Sequence, residues 1–171
     1  IGNPAISVLL DAYKKQIRNY DLEKAWQYAE ESSRLFGNAK YGYVPGSISS
    51  TLEYAYTEWC MAELAKALGK TTEEEYYRKL SKSYQHIYDA EHRSFRPKDE
   101  KGNFLPWPEK GRLTEGYGCV ETNPFQQGWF VPHDIEGLVQ LMGGREKAIE
   151  ELDYMFANTP TDFLWNQFYN H

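Results

Sequence analysis

The stretch STLEYAYTEWCMAELAKALGKTTEEEYYRKLSKSYQHIY, residues 50–88, decides the fold. Leu52, Tyr56, Trp59, Cys60, Leu64, Ala67 and Leu68 recur at helical spacing on one broad face. Ser50 and Glu53 have the spacing of a capping box, in which each side chain satisfies an orphan backbone donor of the other. Gly69 stops the pattern, as a residue free to take a left-handed backbone does. Thr72 and Glu75 then offer a second box, followed by Tyr76, Leu80, Tyr84, Ile87 and Tyr88. The reading is a helical hairpin with a tight turn.

The same grammar extends toward the N-terminus. Asn3-Pro4 reads as a cap followed by proline at the first helical position, and Ile6, Leu9, Leu10, Tyr13 and Ile17 follow. Asp21 is placed to cap a helix carrying Ala25, Tyr28, Ala29, Ser32 and Phe36, ended by Gly37-Asn38. Residues 38–49 are a loop rich in Gly, Pro and Ser. On the other side, residues 93–131 interleave Pro97, Pro106, Pro108 and Pro124 with Gly102, Gly111, Gly116, Gly118 and Gly128. No helix runs through such a segment, and one this long inside a compact domain tends to carry function. Helical pattern resumes at Pro132 with Ile135, Leu138, Val139 and Met142, breaks at Gly143-Gly144, and returns with Ala148, Leu152 and Phe156. Thr159-Pro160 reads as another start, leading into Phe163, Leu164 and Trp165.

Composition agrees. The 171 residues include 5 Trp, 14 Tyr and 8 Phe, while β-branched Val and Ile are scarce, a balance that suits helices better than sheet. The formal charge is −6, and no basic run is present, which argues against nucleic acid or an anionic membrane as partner. No apolar run approaches the ~18 residues of a membrane span. Two cysteines, Cys60 and Cys119, are too few for a disulfide framework and have no zinc spacing. The fold class expected is all-α: helical hairpins with one long irregular insertion, arranged as an α-solenoid or as part of an (α/α) barrel. The absence of a repeat at fixed period weakens the solenoid.

Chemistry concentrates in GYGCVETNPFQQGWFVPHD, residues 116–134. It places Glu121, His133 and Asp134 among the amides of Asn123, Gln126 and Gln127 and the rings of Tyr117, Phe125 and Trp129. A carboxylic acid enclosed by rings and amides is held neutral by burial and can donate its proton to a leaving oxygen. Amides and rings together also suit a sugar. Each residue has a plainer role as well: Glu121 as a partner of backbone or Arg, His133-Asp134 as the first turn of the helix beginning at Pro132, Glu53 as half of its capping box.

Three runs carry a family resemblance: TLEYAYTEWCMAELAKALGK (51–70), FRPKDEKGNFLPWPE (95–109) and ETNPFQQGWFVPHDIEGLVQLMGG (121–144). With IGNPAISVLLDAY (1–13) and FLWNQFYNH (163–171), they resemble, in order and over nearly the whole chain, the catalytic domain of glycoside hydrolase family 92, calcium-dependent exo-α-mannosidases that invert the anomeric centre. The resemblance implies a portion of an (α/α)6 barrel, with residues 1–171 one contiguous piece of a longer domain cut at both ends. It implies Glu121 as the general acid and Asn123, Gln126, His133 and Asp134 as substrate-binding residues. The family pattern reads Glu-Gly-Asn-Ala-Trp-Gln; this chain departs from it at Thr122, Pro124 and Phe125, beside the acid, where linkage preference would be set. In the family an Asn-Glu pair after Tyr-Asn-His supplies calcium ligands and a later Asp is the general base. Both are expected beyond His171, so no metal ligand is expected within the chain, and the isolated piece is expected to be inactive and to self-associate through uncovered apolar helix faces. The implied substrate is a mannose-containing oligosaccharide or N-glycan, with α-1,2-linked mannose the expected linkage. Periplasmic or secreted placement follows from the resemblance alone. Two alternatives stand beside it: a non-catalytic helical-repeat module binding glycan or peptide, and another (α/α) barrel glycosidase.

Overall fold

The computed structural model describes residues 3–158. The helix expected around Phe163, Leu164 and Trp165 and its start at Thr159-Pro160 lie outside them. Among the described residues there are seven α-helices: α1 (Pro4–Lys14), α2 (Leu22–Leu35), α3 (Ile48–Ala67), α4 (Thr71–Leu80), α5 (Pro124–Gln127), α6 (Ile135–Leu141) and α7 (Arg145–Asn158). The all-α expectation holds. To these is added a two-stranded antiparallel ribbon of β1 (Tyr88–Asp89) and β2 (Ser94–Phe95). No described helix is long and apolar enough to cross a membrane.

The chain divides into two compact units, residues 1–44 with 50–86, and residues 45–49 with 87–171. The first is built from α1, α2, α4 and most of α3. Its core joins Ile6 and Leu10, Trp26 and Ala29, Cys60, Met61 and Leu64, and Tyr77. Trp26 meets Tyr77 edge to face at 6.3 Å, the geometry that ring quadrupoles favour.

Several local expectations need correction. Asp21 caps α2 as expected, accepting from Lys24 N–H at 3.0 Å. The buried face of α2, however, runs through Trp26, Ala29 and Ser33, while Tyr28 and Phe36 are exposed; the large indole, not the nearest periodic set, chose the face. Asn3 precedes α1 without a side-chain cap, its amide donating instead to Ser32 Oγ. Ile17 lies past α1, beyond the left-handed Gln16, and is exposed. Neither capping box forms at its expected place. Thr72 and Glu75 lie inside α4, whose preceding residue is Lys70. Glu53 lies in the second turn of α3, which begins two residues before Ser50. Gly69 does end α3, at φ +71°, with Lys70 N–H returning to Ala65 O at 2.9 Å, a helix-terminating turn that satisfies an orphan carbonyl. After α4 the chain tightens into a 3-10 turn, Ser83–Ile87, so the helix expected through Tyr88 is broken.

The second unit contains the irregular insertion. Arg96 organises its first half: Nε and Nη2 donate to Leu105 O at 2.8 and 2.6 Å, and Nη1 donates to Asp89 Oδ2 at 2.8 Å. Burial alone would push Asp89 up, but the hydrogen bonds from Arg96 and His92 hold its carboxyl below the usual range. Asp99 closes the next turn by accepting from the N–H groups of Lys101 and Asn103. Glu151 of α7 is nearly buried and takes Arg112 at 2.6 Å and Arg93 at 3.2 Å. α6 begins at Ile135, three residues later than expected, because Asp134 caps it.

Candidate active site

The 116–134 segment folds as a tight loop and the short helix α5, and ends at the cap of α6. Asn123 is the N-cap of α5, its side chain accepting from Gln126 N–H at 3.1 Å, and Pro124 takes the first helical position, where its missing N–H costs nothing. Gln126 is tied back through its side chain, which accepts from Thr122 Oγ1 at 3.2 Å. Asp134 caps α6 by accepting from Gly137 N–H at 3.2 Å. His133 is partly buried directly before it. The structure thus brings Asn123 and Gln126 together, and gives Asp134 a helix-terminal role, as the cap of α6 rather than within a first turn from Pro132.

Glu121 is different. It is exposed and sits at φ +58°. A non-glycine residue in the left-handed region costs roughly 1–3 kcal/mol and persists only where the surroundings enforce it. Here they do. Upstream, Gly118 O accepts from the N–H groups of Ile48 and Ser49 at 2.6 and 3.1 Å, and Val120 N–H donates to Ser49 Oγ at 3.0 Å. Downstream, Thr122 O accepts from Gly116 N–H at 3.1 Å. Gly118 allows this approach: at φ +69°, a Cβ there would lie 3.0 Å from Pro97 Cβ and 3.2 Å from Ile48 Cγ1. The enclosure by rings and amides expected around Glu121 is not supplied by the described residues, since its side chain is exposed.

The Gly118 contact also explains why α3 starts early. The first N–H groups of a helix need outside acceptors, and a carbonyl far along the chain provides one. Sequence reasoning missed Ser49 for that reason: nothing local marks a serine whose partners are Val120 and Gln127, the latter accepting from its hydroxyl at 3.2 Å. It also read Glu53 of α3 as half of a capping box and did not single out Glu58. Glu53 is partly buried, and burial raises its carboxyl above the usual range. Glu58 is buried, and burial raises it to about 8, against hydrogen bonds from Asn38.

One cluster among the described residues could be imagined to hold a metal: Asp89, Glu91 and His92, whose ligand atoms lie within 4.8 Å of one another. It does not fit calcium. Asp89 Oδ1 already accepts from the N–H groups of Glu91 and His92, and Oδ2 from Arg96 and the His92 ring. A hard cation needs about six to eight oxygen ligands, and a guanidinium on the central carboxylate opposes it.

The family model of the glycosyl hydrolase family 92 catalytic domain matches residues 1–171. The chain belongs to that family. A family 92 inverting mannosidase of Bacteroides thetaiotaomicron superposes with a TM-score of 0.86 at 33% identity, covering 97% of this chain and 25% of that one. A second α-mannosidase of that organism, in complex with mannoimidazole, gives 0.82 at 31% identity, over 94% of this chain and 23% of its own. A secreted glycosidase of Arthroderma benhamiae, itself uncharacterized, is 28% identical over 90% of this chain and 26% of its own length. The chain therefore spans about a quarter of the length of the relatives it matches. These likenesses bear out the all-α class and the family fold.

Proposed function

We propose that the protein of which residues 1–171 form one piece is an inverting exo-α-mannosidase, releasing terminal mannose, α-1,2-linked in the first instance, from mannose-containing glycans such as N-glycans. The observation that carries this reading is Glu121, which stands where the family motif has its acid and is held in a left-handed backbone position by contacts on both sides. Non-glycine residues held in the left-handed region cluster at active sites. Family membership and the mannoimidazole complex of a relative support the sugar.

In this reading Glu121 protonates the glycosidic oxygen as mannose departs. An Asp outside the chain activates water on the opposite face, at the ~6.5–9.5 Å separation an inverting pair needs. The Asn123 side-chain oxygen is used by the α5 cap, and its substrate-binding role rests on the family motif. Gln126, tied to Thr122, shapes the same wall. Substrate roles for His133 and Asp134 rest on the family motif. The calcium that the family uses belongs, in this reading, with ligands outside residues 1–171, and no step is assigned to it here. Secretion or periplasmic export is the matching location, supported by the secreted relative.

The test is mannose release from α-1,2-mannobiose by the full-length parent, wild type and Glu121→Gln, with and without a calcium chelator. Loss of a general acid is expected to cost ~10²–10⁴-fold in turnover. Turnover by Glu121→Gln within about tenfold of wild type would remove the acid assignment. Wild-type turnover that survives chelation would remove calcium. The 171-residue chain alone should release no mannose, because its general base lies elsewhere.

A further inference from the structure

Ser49 is 2% exposed, and its N–H and its hydroxyl both engage the loop that carries Glu121. Its hydroxyl accepts from Val120 N–H at 3.0 Å and donates to Gln127 Oε1 at 3.2 Å. Its own N–H donates to Gly118 O at 3.1 Å, and the Cys119 thiol, also buried, is hydrogen-bonded to it. Residues 118, 119 and 120 are thus each bonded to one serine, immediately before the left-handed residue. Gln127 belongs to α5, the helix that Asn123 caps, so the same hydroxyl links the approach to Glu121 with the element that follows it.

We propose that Ser49 is the positioning residue for Glu121: its hydroxyl fixes the peptide between Cys119 and Val120, the one that leads into Glu121, and so the direction in which the carboxyl is presented. The proposal rests on the reading of Glu121 as general acid. An acid must lie within hydrogen-bond reach of the oxygen it protonates, and a displacement of about 1 Å can cost ~10²-fold. Substituting Ser49 by alanine leaves Val120 N–H without its acceptor and Gln127 without its donor, while leaving the acid itself in place. Rate should fall only where protonation of the leaving group matters.

The experiment uses the full-length parent and two substrates. Mannobiose has a poor leaving group that needs an acid; a dinitrophenyl α-mannoside has a good one that departs without help. Ser49→Ala is expected to lower kcat on mannobiose ~10–100-fold, with KM and the dinitrophenyl rate changed less than about threefold. Ser49→Thr keeps the hydroxyl and should return mannobiose turnover to within about threefold of wild type, a rescue that shape alone would not produce. Glu121→Gln serves as the reference and should show the same leaving-group selectivity, more strongly. If Glu121→Gln is selective while Ser49→Ala slows both substrates alike, or neither, the positioning role is overturned and the acid assignment stands. If Glu121→Gln is itself unselective, the acid assignment falls and takes the proposal with it. Should Ser49→Ala fail to fold, Gln127→Ala removes the partner that orients the hydroxyl. A selective loss in that variant supports the role, and its absence overturns it.

Discussion

Glu58 lies on α3 at 1% exposure. Burial raises its carboxyl to about 8, although Asn38 donates its backbone N–H at 2.8 Å and its side-chain N–H at 3.1 Å. Two hydrogen bonds do not offset the loss of water around a charge. The consequence has a definite sign. Below the unfolded value near 4.5 both states are protonated. Above it the unfolded chain ionises while the folded one resists, so this group lowers stability progressively between pH ~4.5 and ~8, after which the effect is constant. Glu58→Gln should therefore flatten the fall in Tm of the 171-residue chain across that window and should be more stable than wild type at pH 8, as read by circular dichroism. A wild-type Tm that falls no more than the variant's from pH 5 to 8 would refute this. Asp89, held below its usual range, acts in the opposite direction but only in acid, as pH falls through its folded value, so the two do not interfere. At this scale the sequence was partly legible. Glu121 stood out because amides, rings and acids cluster around it in the chain. Ser49 and Glu58 did not, because what distinguishes them is burial and partners far away in sequence.

Helix starts were the least legible elements, and the reason is physical. A cap can be read when donor and acceptor are three residues apart, as at Asp21 with Lys24, Asn123 with Gln126 and Asp134 with Gly137. It cannot be read when the acceptor is Gly118 O and the helix is α3. Helical spans set by periodicity and stopped by glycine, such as α3 at Gly69, were legible. The 93–131 insertion was legible as irregular but not as a ribbon stapled by Arg96. α7 offers a test of what holds an element in its unit. Its nearly buried Glu151 pairs with Arg112 at 21% and Arg93 at 56% side-chain exposure. Arg112 is also packed over Phe125 and Tyr154, at 4.6 and 5.4 Å. Glu151→Gln should cost about 2 kcal/mol in urea unfolding, since it removes a charged acceptor from the more enclosed guanidinium. Arg93→Ala should cost less than about 1 kcal/mol, because an exposed ion pair is screened by water. Equal losses would mean that the solvent-facing contact carries as much as the enclosed one.

At the scale of the whole molecule, each unit leaves a different account. The first gathers Ile6, Leu10, Trp26, Met61, Leu64 and Tyr77 into one core while Tyr28, Leu35 and Phe36 stay exposed. The second leaves a cleft of about 480 Å³ lined by Trp129, Val131, Ile135, Val139, Ile149 and Leu152, with Ile135 at 65% and Ile149 at 47% exposure. An apolar face of this kind on a chain spanning a quarter of its relatives is where further parts of a family 92 domain would find contact. The 171-residue chain alone should therefore bind an apolar dye and sediment as a concentration-dependent mixture of species, and Ile135→Glu with Ile149→Glu should abolish both. A dye-silent, strictly monomeric wild type would show that the face needs no cover. The all-α class was legible at this scale because it depends only on summed local pattern, whereas the division into two units joins residues 45–49 to 87–171 and leaves no trace in either stretch. That division has a consequence for synthesis. The hydrogen bond from Val120 to Ser49 spans 71 residues, and a ribosome adding roughly 5–20 residues per second needs about 4–14 s to cover that span. Until then the leading turn of α3 waits with its donors open, so the loop bearing Glu121 is completed late, and an extract that prolongs the pause before residue 118 would lengthen the time this helix end stays unprotected from hydrogen exchange.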